Sequence, residues 1–349
     1  MYTSPQNQTT SFVDNNIFPN QLSEFQNQKQ QSQEIESPLK SYTDEIISSL
    51  KTCNIIKVQE SQINGINISN DGNLILTSSK DDSITLYSIQ RNEVSRHFIN
   101  KTHGCEKAIF THNTNAILCA SKNDYRIMYW LLHNNEILFS FLGHSDIITE
   151  LNLNPNNDLF ISTSLDKTSR LWNLNLKECV CIFQESNCAN FDNSGNIIVS
   201  VTSVHNKNND IYENFINLYN VNDILKGSFD VFSIKSKSEI KQVKYTNNNN
   251  FIIAICESNF FIIESIKGKI KFNNEIEDNL IKFDISPDDK YIAIACESGN
   301  ILMYDIKGKL IKTLDFHTIG CECLEFNKKY AMLVTADSDL VIWIPTVTE

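Results

Sequence analysis

The chain has 349 residues, 41% of them hydrophobic, enough for one large all-β domain or two average ones. Ten glycines and six prolines exclude collagen-like and proline-rich chains. A formal net charge of −12 argues against a main DNA-binding surface, which needs clustered Lys and Arg; it suits basic peptides or histone tails, or simply keeps the protein in solution.

Residues 1–41 read as a disordered arm. The stretch from Gln26 to Gln33 holds only Gln, Asn, Lys and Ser and cannot bury enough apolar surface to offset the entropy of ordering. The Gln- and Ser-rich start has no apolar segment of the signal-peptide kind, and no apolar run reaches transmembrane length. The expected compartment is therefore reducing, cytosol or nucleus, and the sequons at Asn7, Asn67 and Asn100 are chance matches. Ser4-Pro5 and Ser37-Pro38 are candidate phosphorylation sites.

From Ile55 onward the chain becomes short strands broken by polar turns. One pattern recurs: an alternating strand, a polar turn, an apolar strand ending in small residues, a tight turn, and a strand closing in an aromatic. The units start at Ile63, Cys105, Ile147, Cys188, Ile240, Leu280 and Cys321, and the fourth carries a polar insertion around His205 to Asn214. The closing positions are Tyr87, Trp130, Trp172, Tyr219, Ile263, Tyr304 and Trp343, at intervals of 43, 42, 47, 44, 41 and 39. A period of about 40–45 residues built from short strands is that of a propeller blade, so seven units mean seven blades. Residues 42–349 are assigned to this propeller. The last unit, Cys321 to Pro345, offers three strands, while the segment IIKVQ from Ile55 has no partner; it is expected to close the ring as that blade's outer strand.

The third unit is the most informative. Gly143-His144 precedes its first strand, Trp172-Asn173 ends its third, Asp166 lies six residues before Trp172, and Ser162 lies four before Asp166. These residues resemble the WD repeat, in which Trp, Ser, His and Asp form a buried hydrogen-bonded relay. Such a network rigidifies a blade when every member is satisfied. The last unit keeps His317, Asp337 and Trp343, with Leu333 where the Ser is expected; the first keeps Thr77 and Asp81, with Tyr87 for Trp. His144, Asp166 and Ser162 are also the residue types of a hydrolytic triad, but their spacing is that of the relay. No Gly-x-Ser-x-Gly, phosphate-binding glycine loop or His-Glu-x-x-His is present. Seven histidines are scattered without ligand spacing. The pairs Cys179/Cys181 and Cys321/Cys323 are too close for a zinc site and should share one face of a strand as small buried residues. No catalytic residue, metal or cofactor is expected.

In WD propellers the residue just before the turn Asp position faces the surface where peptides often dock. That position is taken by Lys80, Asn123, Leu165, Glu257, Glu297 and Ala336. Glu257 and Glu297 should form an acidic patch, with Leu165 as an apolar contact.

The likeness extends beyond generic repeats. SLDKTSRLW from Ser164, GHSDIITELNLNP from Gly143, VIWIPTVTE from Val341, YTDEI from Tyr42, SNDGNLILTSSKDDSITLY from Ser69 and FTHNTNAILCASK from Phe110 resemble the WD-repeat subunit of COMPASS. COMPASS methylates lysine four of histone three. The resemblance covers about residues 42–349 and is strongest in blades one to three and near Val341. It implies a non-catalytic nuclear adaptor that binds a short N-terminal segment of the methyltransferase catalytic subunit. It also implies links to the phosphorylated C-terminal domain of RNA polymerase II, and to termination through PNUTS–protein phosphatase one or the cleavage and polyadenylation machinery. Neither direct nucleic-acid binding nor membrane association is expected. The runner-up is a WD-repeat scaffold of another complex, such as a ubiquitin-ligase receptor or an RNA-processing assembly; a propeller enzyme is a third class.

Overall fold

The computed structural model describes residues 42–59, 61–318 and 320–346, so the arm expected over 1–41 lies outside the described residues. Short strands rich in Ile, Val, Phe and Tyr, separated by Asn-, Asp- and Gly-bearing turns, pair with their sequence neighbours into seven four-stranded antiparallel sheets. Six sheets use consecutive strands, over 63–99, 107–141, 148–184, 186–236, 242–275 and 280–314. The seventh takes Cys323–Phe326, Leu333–Ala336 and Leu340–Pro345, then adds Leu50–Ile56 as its outer strand. The all-β, seven-bladed propeller read from the period is the fold.

Ring closure comes slightly earlier in the chain than expected. The closing strand is Leu50–Ile56, with Leu50 opposite Pro345 and Ile55 opposite Val341. A short helix fixes this register. Thr43 caps Asp44–Ser49, and Ile47 and Leu50 insert into the core between blades six and seven. Gln59 lies beyond the strand, its amide donating to the Ser83 carbonyl and hydroxyl of blade one.

Each pair of neighbouring blades encloses its own apolar core, seven in all. The second strands are covered on both faces and read as continuous apolar runs, such as the fully buried Tyr291–Cys296. The outer strands are largely exposed. The innermost strands line a central channel of about 570 Å³.

The insertion in the fourth unit extends a hairpin: Ile197–Asn206 and Ile211–Asn220 are ten residues each, against four to six for the equivalent strands of other blades. The cysteine pairs do not share faces. A bulge between Leu171 and Trp172 puts half-buried Cys179 against blade two and Cys181 against blade four. Cys321 precedes the strand that Cys323 begins, and the two join cores on opposite sides of blade seven.

Candidate functional site

Blade three brings the relay residues together. Trp172 Nε1–H donates to Ser162 Oγ at 2.8 Å, Ser162 Oγ lies 2.7 Å from His144 Nε2, and His144 Nδ1 lies 2.8 Å from Asp166 Oδ2. A neutral imidazole satisfies all three bonds: Nδ1–H donates to the carboxylate and Nε2 accepts the serine proton. Burial accordingly pushes His144 below the ordinary imidazole range, against the pull of Asp166. Burial alone would raise the Asp166 carboxyl. Hydrogen bonds from Thr168, His144 and the Ser145 N–H outweigh it and hold the group at about 2. Ser162 is fully buried, with its oxygen held between the indole and the imidazole, so this triad offers no opening to a substrate.

Blade seven builds a similar relay with one correction. Trp343 Nε1–H donates to Thr335 Oγ1 at 2.9 Å, and His317 Nε2 is 2.8 Å from the same oxygen. Thr335, and not Leu333, takes the serine's place. The hairpin is two residues shorter: Trp343 pairs with Leu333, whereas Trp172 pairs with Phe160. In both blades the hydroxyl sits two residues after the Trp partner. His317 Nδ1 and Asp337 Oδ2 approach to 3.2 Å without hydrogen-bond alignment. In blade one, Thr77 bonds the Thr85 carbonyl, and the Tyr87 hydroxyl points away to Asn92; Asp81 accepts from the Ser83 N–H.

Sequence reasoning missed a third His–Asp pair. His103 Nδ1 lies 3.0 Å from Asp124 Oδ2, with Arg126 Nε at 2.7 Å from the same oxygen, while Trp130 Nε1 bonds Asn135 instead. Asp124 lies six residues before Trp130, the spacing that marks Asp166, but His103-Gly104 inverts the Gly-His order.

The turns between second and third strands lie at one end of the ring, here the top face. Lys80, Asn123, Leu165, Glu257 and Glu297 are exposed there, Leu165 to 54%. Lys80 donates to Gln62 at 2.6 Å and faces Glu322 at 3.7 Å; Asn123 donates to the Thr102 carbonyl. Glu257 pairs with Lys241 at 3.3 Å, and Glu297 accepts from Asn279 at 2.6 Å. Ala336 is not on this face: it is fully buried opposite Leu340, because the shorter hairpin carries a fixed count back from Trp343 into the strand.

The channel wall carries a belt that no sequence period announces. Asn67, Ile109, Asn152, Asn190, Lys244, Asp284 and Glu325 hold one register position in the seven innermost strands. Each polar member reaches toward the next blade. Asn67 accepts from the Phe110 N–H, Asn152 donates to the Ala189 carbonyl, and Asn190 donates to the Val243 carbonyl. Lys244 pairs with Asp284 at 2.9 Å; Asp284 accepts from the Phe326 N–H, and Glu325 from the Ile68 N–H. Ile109 interrupts the belt with an apolar contact. Burial, reinforced by Asp284, pushes the Glu325 carboxyl up to about 7.

The family model of the WD domain, G-beta repeat, matches residues 50–88 and 135–173. Each match contains the outer strand of one blade and three strands of the next, so the sequence repeat is offset from the blade by one strand. The chain is 27% identical to WD repeat-containing protein 82 of Drosophila melanogaster, covering 88% of this chain and 98% of that protein. It is 28% identical to COMPASS component SWD2 of Saccharomyces cerevisiae, covering 81% and 90%. It is 25% identical to Set1 complex component swd2 of Schizosaccharomyces pombe, covering 76% and 78%. The chain is a seven-bladed propeller that carries two matches to the WD domain, G-beta repeat, and is similar through most of its length to these COMPASS and Set1 complex components.

Proposed function

We propose that the chain is a non-catalytic adaptor subunit of a nuclear complex for methylation of lysine four of histone three, tied to RNA polymerase II transcription and termination. One observation carries the reading: the similarity to COMPASS component SWD2 runs through 81% of this chain and 90% of that protein, so it involves most of the ring and not a single blade. The propeller supplies the means. Its top face exposes Leu165 on blade three and the carboxylates Glu257 and Glu297 on blades five and six. That combination suits a short basic segment with an apolar residue, the character we assign to the N-terminal segment of the methyltransferase catalytic subunit.

Purification of the tagged full chain from nuclear extract, with mass spectrometry of what accompanies it, tests the reading. A Set1-type methyltransferase should be recovered, and depletion of the chain should lower trimethylation of that lysine. Recovery of a ubiquitin ligase or an RNA-processing assembly in its place, with methylation unchanged, would overturn it.

A further inference from the structure

Two turns at the end of the ring opposite the top face share one phrase. Blade five passes from its third to its fourth strand through Ile266-Lys267-Gly268-Lys269, and blade six through Ile306-Lys307-Gly308-Lys309. An apolar residue follows each, Ile270 and Leu310. Both glycines have positive φ, 60° and 89°. A Cβ on Gly268 would meet the ring of Phe232, on the outer strand of blade four, at 2.1 Å. A Cβ on Gly308 would meet the ring of Phe272, on the outer strand of blade five, at 2.2 Å. Each turn is therefore laid glycine-down on the preceding blade, and the two follow one another along the rim. The hairpin of blade five closes from Glu264 N to Lys269 O, one residue wider than the closure from Asp305 N to Lys309 O. The extra residue pushes Ile266 out to 80% exposure, whereas Ile306, held by the Lys290 carbonyl, is half-buried.

Lys267, Lys269, Lys307 and Lys309 are exposed, and among the described residues none of them forms an ion pair. The nearest acids in sequence are already occupied. Glu264 pairs with Lys271 at 3.2 Å, and Asp305 accepts the backbone N–H groups of Lys307 and Lys309. In a chain of net charge −12, this rim is a local reversal of sign. Apolar side chains run through it: Ile266, Ile270 at 41% exposure and Leu310 at 46%. Leu225 at 88% and Phe229 at 58% continue the seam onto blade four, in the connection leading to Phe232.

We propose that this rim docks an extended peptide of another protein in which carboxylates alternate with aliphatic or aromatic residues. Lysine pairs repeated from blade to blade suit a ligand that crosses both turns. The ammonium groups would speed encounter, and the exposed Ile266 and Leu225 would supply most of the affinity. A nucleic-acid strand fits less well, because successive bases need successive aromatic platforms, and with Phe232 and Phe272 under the glycines the seam presents the single exposed ring of Phe229 against several exposed aliphatic side chains. The rim lies at the opposite end from Leu165, Glu257 and Glu297, so it stands or falls independently of the adaptor reading.

The test is fluorescence anisotropy of the full chain with a labelled peptide, Asp-Leu-Glu-Asp-Phe-Glu-Asp-Leu-Glu-Asp, beside deca-aspartate and a ten-nucleotide oligo-dT. The peptide should bind, and both controls should bind at least about tenfold more weakly. The variant Lys267→Glu/Lys269→Glu/Lys307→Glu/Lys309→Glu should weaken the peptide about tenfold or more, and Ile266→Ser about threefold, at unchanged melting temperature. Absence of peptide binding, undiminished binding by the charge-reversed variant, or equal binding of deca-aspartate or the oligonucleotide would overturn the proposal.

Discussion

Ser162→Ala is the sharpest probe of the relay in blade three. The hydroxyl is fully buried, accepts the indole N–H of Trp172 at 2.8 Å and donates to His144 Nε2 at 2.7 Å. Its removal strands a donor and an imidazole nitrogen in the core. At roughly 1–3 kcal/mol for each unsatisfied group, the variant should lose about 2–6 kcal/mol. Trp172→Phe removes the indole donor and some ring volume, and should cost about 1–3 kcal/mol, mainly through packing against Phe141 and Phe160. In the double variant only the imidazole is left without its partner. Its loss should therefore fall short of the sum of the singles by about 1–2 kcal/mol, the coupling expected of groups that touch. Urea unfolding followed by far-ultraviolet circular dichroism measures this without relying on the fluorescence of the residue being changed. Additivity within about 0.5 kcal/mol would show that the indole–serine bond contributes nothing, and the relay would then be a coincidence of packing.

Truncation tests ring closure: removing residues 1–41 should leave the melting curve unchanged, whereas removing 1–60 takes Leu50–Ile56 from blade seven and should abolish cooperative unfolding. If the shorter chain melted like the longer one, the closing strand would be dispensable. Burial lowers the pKa of His144 and His317 in the fold, so the unfolded chain takes up protons first as pH drops through 6.5. The melting temperature should fall there, and again below 3.8 as Asp166 approaches protonation; a flat profile across pH 5–7 would show that the imidazoles do not stay neutral. Glu325 has the opposite sign: with its carboxyl raised to about 7, its contribution is full below 4.5 and lost as pH rises through 7. Glu325→Gln should thus gain about 1–2 kcal/mol at pH 8 and nothing at pH 4, while its amide oxygen still accepts the Ile68 N–H; equal effects at both pH values would refute the cause. The double variant Glu257→Lys/Glu297→Lys should stay folded and fail to pull down the methyltransferase N-terminal segment. Retained binding at low and high salt would eliminate the acidic patch as the site.

The fold was legible because its signals repeat. Seven closing residues at nearly constant intervals reveal the blade, and an orphan strand before Ile63 reveals closure. What failed was counting through turns. A fixed offset from Trp172 finds Ser162, but the same offset from Trp343 lands on Leu333 and Ala336, because one hairpin is two residues shorter than the other. Strand register, not chain distance, decides which side chain meets the indole, and register is invisible until the turn length is known. The half-buried separation of Cys179 from Cys181 has a similar origin, since a single bulge reverses a face. The channel belt was beyond reach for another reason. Each blade contributes one residue at that position, and the types differ from Asn67 to Lys244 to Glu325, so no recurring letter marks it. The two Ile-Lys-Gly-Lys turns were readable as text, but their shared seat on Phe232 and Phe272 was not.

The pairing of Leu50–Ile56 with Leu340–Pro345 has a consequence for how the molecule is made. The ribosome delivers the closing strand first, and its partner appears almost three hundred residues later. At roughly 5–20 residues per second, that strand waits about 15–60 s with its backbone unpaired. During that interval six complete blades can form behind it, yet the ring stays open, with one flank of blade one and one of blade six bare. The nascent protein is thus most vulnerable to capture by chaperones or by other chains just before Leu340–Pro345 emerges. Codon usage or temperature shifts that slow synthesis of residues 315–345 should lower the yield of soluble protein more than the same delay placed within blades two to five.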